Sequence, residues 1–326
     1  MNSLSSLQQR VNLEIKNYAA TLNLYPAELY EPLSYTLQLG GKRMRPVLLL
    51  MATELFNGDI DKAIAPALGI EVFHNFTLLH DDIMDNAPLR RNQATVHEKW
   101  NNNVAILSGD TMFVKSYQLM MQVPENILRE VLEIFSATAI EVCEGQQLDM
   151  NFETASNVSI QDYIHMIGLK TAVLLAASLK IGALVGGANK EDANHLYDFG
   201  KNIGIAFQLQ DDVLDVFGDA AKFGKQVGGD IISNKKTYLL LSALELAKGD
   251  HLEDLNNWMS KTNFDPLEKV EAVTEIFESL QVKKLAQQKM NEYHQIAMEH
   301  FNAINCSDQK KYELLAFAES LLKREL

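Results

Sequence analysis

The sequence predicts an all-α protein. No proline falls between Ile127 and Asp265, so this long interval can remain mostly helical. Strand signals are sparse, because no Asn-Gly or Asp-Gly pair lies between alternating apolar segments. Apolar residues instead repeat at helical spacing, first at Leu128, Val131, Leu132 and Phe135, and again at Leu240, Ala243, Leu244 and Ala247.

The pattern favours a single domain of ten or more helices that spans residues 1–326. Glycines mark the expected helix ends in the segments 39–43, 185–189 and 223–230. No Pro/Ser-rich linker, low-complexity tract or block of five like charges divides the chain. The hydrophobic content of 47% is enough for a sizeable core.

Charge and composition exclude several classes of partner. The formal net charge of −14 argues against nucleic acid or an anionic membrane as a general partner. Cys143 and Cys306 have neither CxxC nor metal-ligand spacing, which indicates a reducing compartment, so we expect a cytoplasmic protein. The longest apolar region, residues 171–188, is interrupted by Ser178 and Lys180, so we expect no transmembrane segment.

Two aspartate clusters follow apolar stretches with helical spacing. They are Asp81, Asp82 and Asp85, and Asp211, Asp212 and Asp215. In each cluster the first and last aspartates lie one helical turn apart on the same face. Toward the N-terminus, the first face continues through Leu78 and His74, and the second through Gln208 and Gly204.

Each cluster needs a cation. Like charges four residues apart destabilise a helix by about 0.2–0.5 kcal/mol per pair. All-oxygen donors of this kind suit Mg²⁺, which takes one or two carboxylates together with waters and substrate phosphates. Two solvated helix ends are the alternative. The repetition of the motif 130 residues further on (211 − 81) favours the metal.

Basic residues beside glycines or in apolar surroundings are candidate phosphate binders. Glycine lets the backbone approach a phosphate, arginine binds it bidentately, and lysine acts as a point charge. Lys170 lies between the apolar segments "MIGL" and "AVLLAA", so we expect it to have a partner. Most of the others taken singly are surface charges. The candidates are Lys42, Arg43, Arg45, Arg90, Arg91, Lys170, Lys225, Lys235 and Lys236.

Taken in order, these motifs resemble the trans-isoprenyl diphosphate synthases of the polyprenyl synthetase family. The matching segments are "GGKRMRP", "HNFTLLHDDIMDNAPLRR", "EGQQLD", "GLKTA", "FQLQDDVLDVFGD", "GKQVGGDI" and "NKKT", and they cover roughly residues 40–240. The resemblance implies an all-helical, single-domain bundle around a deep central cavity, the type I isoprenoid synthase fold. It also implies a homodimer.

The resemblance implies a reaction as well. Isopentenyl diphosphate would condense head-to-tail with an allylic diphosphate (dimethylallyl, geranyl or farnesyl), releasing pyrophosphate. Mg²⁺, expected as three ions per site with substrate bound, and the basic residues would neutralise the leaving pyrophosphate. The released pyrophosphate would accept the final proton. No side chain needs to act as a nucleophile, so the lack of a Ser/His/Asp arrangement does not argue against an enzyme.

Roles are transferred only to positions that match the family motifs. Asp81, Asp85 and Asp211 match metal ligands, and Asp215 is a weaker candidate ligand. The isopentenyl diphosphate pocket is expected to contain Gly41, Lys42, Arg45, His74 and Arg91. The allylic diphosphate is expected to contact Arg90, Lys170, Thr171, Gln208, Lys225 and Lys235. Among these, Lys170, Thr171 and Gln208 are expected beside the allylic cation.

Two local features bear on the loop and on product length. Asn92 and Ala94 stand where the family usually has Gly and Pro, and because asparagine tolerates left-handed backbone, we expect the turn to be kept. Phe76 is expected to floor the product cavity beside the smaller Thr77. This favours C15–C20 all-trans products, with geranylgeranyl diphosphate slightly ahead of farnesyl diphosphate. The alternative is that Phe76 is ordinary core.

Other functions remain as alternatives. A longer-chain polyprenyl diphosphate synthase would be expected to have small residues at both positions 76 and 77. A class I terpene cyclase would carry an Asn/Ser/Glu-type second metal motif, and a non-catalytic partner subunit would tend to lose one aspartate motif. A four-helix metal-carboxylate protein needs two Glu-x-x-His pairs, and the chain has only Glu71–His74.

Overall fold

The computed structural model describes residues 3–218 and 228–322. These residues confirm the predicted all-α class. A π-helical turn, Gly168–Ala172, joins α8 to α9. The helices are α1 (Leu4–Thr21), α2 (Ala27–Gln38), α3 (Met44–Leu55), α4 (Ile60–Met84), α5 (Val96–Lys99), α6 (Asn102–Met120), α7 (Glu125–Thr154), α8 (Ile160–Ile167), α9 (Val173–Val185), α10 (Lys190–Phe217), α11 (Gly229–Ile232), α12 (Tyr238–Leu246), α13 (Asp250–Ser260), α14 (Pro266–Ser279), α15 (Val282–Ala303) and α16 (Asp308–Leu322).

The chain divides into two compact units. The first unit consists of Met1–Ser136, Ala177–Leu196 and Ile304–Leu315. The second unit consists of Ala137–Ala176, Tyr197–Ala303 and Ala316–Leu326. Each unit has its own buried apolar residues.

Helix α4 is central to the first unit, where it packs against α3 and α6. The core-facing residues of α4 include Phe73, whose ring contacts those of Phe113 and Phe135 at centroid distances of 5.9 and 5.2 Å. Aromatic pairs at such distances add about 0.5–1.5 kcal/mol to the free energy of burial. The predicted apolar face of α7 is confirmed in this unit, since Val131 and Phe135 are fully buried.

The core of the second unit is formed by α8, the C-terminal half of α10, α12, α14 and α15. Its buried side chains include Tyr163, Leu209, Leu240, Val273 and Phe277. The predicted apolar face of α12 is confirmed, because Leu240 and Ala243 are buried. This core supports the C-terminal half of α10, where the second aspartate cluster lies.

A short hairpin follows α4 that the sequence did not predict. Strand β1 (Leu89–Arg90) pairs antiparallel with β2 (Gln93–Ala94). Both turn residues are left-handed, with φ of 54° at Arg91 and 61° at Asn92. Type I′ hairpin turns need positive φ at both central positions. Arg-Asn is not one of the Asn-Gly or Asp-Gly pairs that mark such turns in a sequence, whereas the expected left-handed backbone at Asn92 is confirmed.

One apolar segment has the length of a membrane-spanning helix. Residues Ile160–Val185 are long and apolar enough to cross a membrane by length and composition, but 83% of an 18-residue apolar window within this segment is buried inside the protein. Burial of this extent is what a core helix shows. The polar residues Lys170 and Thr171 lie within the segment, at the π-helical turn.

Close helix packing in the first unit makes Gly182 on α9 sensitive to substitution. A Cβ atom at Gly182 would lie 2.1 Å from the backbone oxygen of Leu49 on α3. We expect Gly182→Ala to lower the free energy of unfolding by about 1–3 kcal/mol, the usual range for overpacking. Urea unfolding followed by circular dichroism measures the change.

The matched control is Gly168→Ala. There the added Cβ would meet only the Cδ1 atom of Ile205, at 3.9 Å, an ordinary contact distance. Equal stability of the Gly182→Ala protein and the unmodified protein would contradict the close packing of α9 against α3.

Candidate active site

The first aspartate cluster lies at the C-terminal end of α4. Asp81 is in the last turn, and Asp85 is the C-cap residue. The backbone N–H of Asp85 donates to the backbone carbonyl oxygen of Asp81 at 2.9 Å. The C-terminal end of a helix carries partial negative charge, so carboxylates there are unfavourable by about 0.3–1 kcal/mol each unless a cation is present. Asp81 is partly buried and Asp85 is exposed. Both residues therefore keep some exposure at the end of the helix.

The middle aspartate of this cluster pairs with an arginine of the hairpin. Asp82 is buried and accepts hydrogen bonds from Arg90 Nε at 2.8 Å and Nη2 at 2.7 Å. Burial raises the pKa of Asp82, while the hydrogen bond and charge of Arg90 lower it. Arg90, expected to contact the allylic diphosphate, is thus oriented by Asp82.

The glycine pair before α3 is shaped to receive Arg91. Gly40 and Gly41 have φ of 83° and 135°, which L side chains rarely adopt. A Cβ at Gly41 would lie 2.8 Å from both terminal nitrogens of Arg91, and Arg91 Nη1 donates to the oxygen of Gly40. The structure therefore brings together Gly41 and Arg91, two residues predicted for one anion pocket.

Arg45 and His74, from the same predicted pocket, lie beside each other. Arg45 Nη1 is 3.1 Å from His74 Nε2. Burial, followed by the positive charges of Arg45 and Arg91, holds the pKa of His74 well below its usual range, so the imidazole is neutral. Within residues 3–218 and 228–322, the buried Nε of Arg45 has no hydrogen-bond partner. A neutral imidazole and an unused guanidinium donor suit an anion.

A buried ion pair lies close in the chain to Arg45 and His74. Arg43 Nη1 donates to Glu71 at 2.5 Å, and both side chains are only 3% exposed. Arg43 has a φ of 50° and forms the N-cap of α3, and its Nη2 donates to the oxygen of Leu37 at 2.6 Å. Arg43 was a candidate phosphate binder, but its guanidinium is occupied by Glu71 and the backbone. Removing one partner of such a pair is strongly destabilising.

Phe76 lies on α4, on a different face of the helix from Asp81 and Asp85. Its ring stacks on Phe113 at 5.1 Å and contacts His80 at 4.8 Å. Phe76 keeps partial exposure, and the hydroxyl of Thr77 donates to the oxygen of His74 at 2.8 Å. A half-buried aromatic ring braced by a second ring has the rigidity that a cavity wall requires.

In the second unit, the second aspartate cluster lies near the C-terminal end of α10. Asp211 and Asp215 are partly buried, and Asp212 is buried. The carboxylate of Asp215 accepts from the N–H of Asp230 at 2.9 Å, at the start of α11. One Asp215 oxygen is therefore bonded within the protein.

Lys170 has the partner that its apolar surroundings require. Its Nζ donates to Asp149 Oδ2 at 2.5 Å, and Lys235 Nζ lies 3.9 Å from the same oxygen. Lys170 projects from the π-helical turn, a feature frequent at functional sites. Gly145 permits this turn, since a Cβ there would lie 2.3 Å from the backbone nitrogen of Lys170. Asp149 thus connects two predicted diphosphate contacts.

Thr171 and Gln208 are also joined, through a chain that continues into the core. Thr171 Oγ1 donates to Gln208 Oε1 at 3.2 Å, and Gln208 Nε2 donates to Asp212 Oδ1 at 3.2 Å. Asp212 also accepts from the hydroxyl of Tyr163. Burial raises the pKa of Asp212 to about 7, against the lowering effect of these two donors.

Several residues of the site were missed from the sequence. Asp149 is one of them and is the last residue of the motif "EGQQLD". Its negative charge, together with the expectation that Lys170 has a partner, is the signal that could have found it. Tyr163 gave no signal, because its partner Asp212 lies 49 residues away. The sequence indicates Glu71 only as the acidic member of a Glu-x-x-His pair and not as the partner of Arg43. Lys225 falls in residues 219–227, outside the described part of the chain.

The donor chemistry fits Mg²⁺. In the described ranges, 3–218 and 228–322, no group of three or more His, Cys, Asp or Glu side chains is placed to hold a metal ion by itself. The first cluster offers the carboxylates of Asp81 and Asp85, and the second offers Asp211. Mg²⁺ is usually held by one or two carboxylates and completed by waters and substrate phosphates.

Comparison with known proteins identifies the family of the chain. The polyprenyl synthetase family model matches residues 26–279. A geranylgeranyl diphosphate synthase from Methanosarcina mazei is 42% identical over 68% of each chain. A geranylfarnesyl diphosphate synthase from Natronomonas pharaonis is 39% identical over 71% of this chain and 74% of its own.

The fold agrees as well. A crystal structure of a geranylgeranyl pyrophosphate synthase superposes with a TM-score of 0.94 at 42% identity, covering 100% of both chains. The match extends beyond the motifs to the whole chain. The chain therefore belongs to the polyprenyl synthetase family, and it is a prenyltransferase.

Proposed function

We propose that the protein condenses isopentenyl diphosphate with allylic diphosphates to give a C15–C20 all-trans prenyl diphosphate, with geranylgeranyl diphosphate the favoured product. One observation carries the proposal. In both aspartate motifs the middle aspartate is buried and bonded to the protein, as Asp82 to Arg90 and Asp212 to Tyr163, while the flanking carboxylates keep exposure. The names of the relatives from Methanosarcina mazei and of the superposed crystal structure support the product length.

The flanking carboxylates are the proposed Mg²⁺ ligands. Asp81 and Asp85 would hold metal at the first cluster, and Asp211, with Asp215 as a weaker ligand, at the second; three ions per site are proposed. When bound, the metal supplies charge neutralisation of the leaving diphosphate. Placement at the negative end of α4 strengthens the attraction of the first cluster for cations.

The basic residues are proposed to divide the two diphosphates between them. Isopentenyl diphosphate is assigned to the pocket of Gly41, Lys42, Arg45, His74 and Arg91. The neutral His74 donates a hydrogen bond without adding charge, and the unused Nε of Arg45 completes the donors. The allylic diphosphate is assigned to Arg90, Lys170, Thr171, Gln208 and Lys235, and to Lys225, which lies outside the described residues.

These residues act on charge rather than through covalent bonds. Lys170 and Lys235 neutralise negative charge that builds up as the allylic C–O bond breaks. The oxygens of Thr171 and Gln208 stabilise the resulting cation. Asp149 holds Lys170 at 2.5 Å, so the ammonium group is positioned before substrate binds. The double bond of isopentenyl diphosphate attacks the cation, and the released pyrophosphate accepts the final proton.

Phe76 is proposed to limit product length. Its ring, braced by Phe113 and His80, would end the space into which the prenyl chain grows. A geranylfarnesyl product, one isoprene unit longer than geranylgeranyl, is the second candidate. It is favoured by the 39% identity to the Natronomonas pharaonis relative.

We further propose that the chain is one catalytic domain, cytoplasmic, and a homodimer. The family match from residue 26 to 279 runs through both units, which supports one domain. Leu107, Val114 and Met121 on α6 and its C-cap are 59%, 58% and 56% exposed. Their seven-residue spacing puts them on one face, and an exposed apolar face suits a second copy of the chain.

Removal of one carboxylate from either cluster tests the metal sites. We expect Asp81→Ala and Asp211→Ala each to lower Mg²⁺-dependent turnover roughly a hundredfold or more, because charge stabilisation at the leaving group is lost. Incorporation of labelled isopentenyl diphosphate with each allylic primer, followed by chromatography of the dephosphorylated products, measures turnover.

Asp254→Ala is the matched control, since Asp254 is exposed on α13 and should leave turnover unchanged. Helical circular dichroism should be the same for all three variants. Failure of the unmodified protein to elongate any primer with Mg²⁺ would contradict the proposed function.

Shortening Phe76 tests the product limit. Phe76→Ala should shift the main product by at least one isoprene unit, because the ring that closes the space is removed. The same chromatography separates the products. Phe264→Ala removes another half-buried phenylalanine and should leave product length unchanged. An unchanged product from Phe76→Ala would assign Phe76 to the core alone.

A charge on the exposed face of α6 tests the homodimer. Val114→Glu should lower the mass measured by light scattering after size-exclusion chromatography from that of two chains to that of one. Leu267→Glu is the control, because Leu267 is 76% exposed on α14 and lies outside this face. A single-chain mass for the unmodified protein would contradict the homodimer.

A further inference from the structure

A hydrogen-bond chain in the second unit links the core to a proposed catalytic hydroxyl. It starts at Tyr163 on α8, passes through Asp212 and Gln208 on α10, and ends at Thr171 in the π-helical turn. Tyr163 and Asp212 are only 2% and 3% exposed. Neither residue is a proposed metal ligand or substrate contact. A buried tyrosine hydroxyl and a buried carboxylate are costly unless they are bonded to each other.

The hydrogen bonds of this chain all run in one direction. Tyr163 donates to Asp212 Oδ2, and the amide NH₂ of Gln208 donates to Asp212 Oδ1. The amide oxygen of Gln208 then faces Thr171, at 3.2 Å. Thr171 must donate its only hydroxyl proton to that oxygen. Its lone pairs therefore remain for another partner.

This direction matters for cation stabilisation. A hydroxyl that donates into a chain of hydrogen bonds becomes more negative at its oxygen, because successive bonds polarise one another. If the Gln208 amide were turned over, its NH₂ group would face Thr171. The Thr171 proton would then be free to point toward the reacting carbon, where it would oppose positive charge.

We propose that Tyr163 and Asp212 are positioning residues that fix the orientation of the Gln208 amide and so present the oxygen lone pairs of Thr171 to the allylic cation. This inference rests on the proposed prenyl transfer at this site. Tyr163 acts by holding the second oxygen of Asp212. Without its hydroxyl, the buried carboxylate has one donor fewer and no longer holds the amide in one orientation.

A double-mutant cycle tests the inference, with steady-state kinetics on isopentenyl diphosphate and geranyl diphosphate in Mg²⁺. Tyr163→Phe should lower kcat roughly tenfold, a coupling within the range for residues in one hydrogen-bond network. KM for both substrates should change less than about twofold, because the interaction serves the transition state alone. In a Thr171→Val background, Tyr163→Phe should cost less than about twofold in kcat.

The conservative variant Thr171→Ser keeps the hydroxyl, so Tyr163→Phe should again cost roughly tenfold in that background. Tyr117→Phe is the matched control, because it removes a tyrosine hydroxyl bonded to Ser136 at 3.0 Å in the first unit. Its kcat should equal that of the unmodified protein. An equal cost of Tyr163→Phe with Thr171 and with Val at position 171 would overturn the inference.

Circular dichroism and thermal unfolding check that each variant is folded. If Tyr163→Phe does not fold, Asp212→Asn takes its place in the same cycle. The asparagine amide can donate to Gln208 and turn it over, so the cost should again disappear in the Thr171→Val background. An additive cost would overturn the inference. An unmodified protein without elongation activity would overturn the proposed function instead.

Discussion

Two clusters of carboxylates near the C-terminal ends of helices are the constraint on which the site depends. Three aspartates lie at the end of α4, where the helix dipole already contributes negative charge, and three more lie in the C-terminal part of α10. The middle residue of each group is buried and bonded, Asp82 to Arg90 and Asp212 to Tyr163 and Gln208. The flanking carboxylates are more exposed, and these are the residues proposed to bind cations.

The basic residues also differ in whether a partner within the protein neutralises their charge. Arg43 is neutralised by Glu71 and Lys170 by Asp149, whereas the Nε of Arg45 is left without a partner among the described residues. The pKa of Arg45 falls to about 10 because of burial, so its guanidinium stays charged at neutral pH. Arg43 is thus saturated with partners, whereas Arg45, which is proposed to bind substrate, keeps an unused donor among the described residues.

Glycines and left-handed turns fix the local placement of several of these side chains within each unit. Gly41 leaves room for the guanidinium of Arg91, and Gly145 leaves room for the π-helical turn that carries Lys170. The turn at Arg91 and Asn92 reverses the chain within two residues, so that Arg90 reaches back to Asp82. Short-range backbone geometry therefore sets the positions of three cationic side chains.

The sequence by itself determined the helical class, the aspartate faces and the family, because helical spacing and short motifs are local properties of the chain. It also required a partner for Lys170. Only the tertiary structure decided that the partner is Asp149, 21 residues earlier, and that Arg91 contacts Gly40, 51 residues earlier. Such pairings depend on packing between distant segments. The burial of Asp82 and Asp212 beside less buried aspartates was decided in the same way, since Arg90 and Tyr163 come from other elements of the fold.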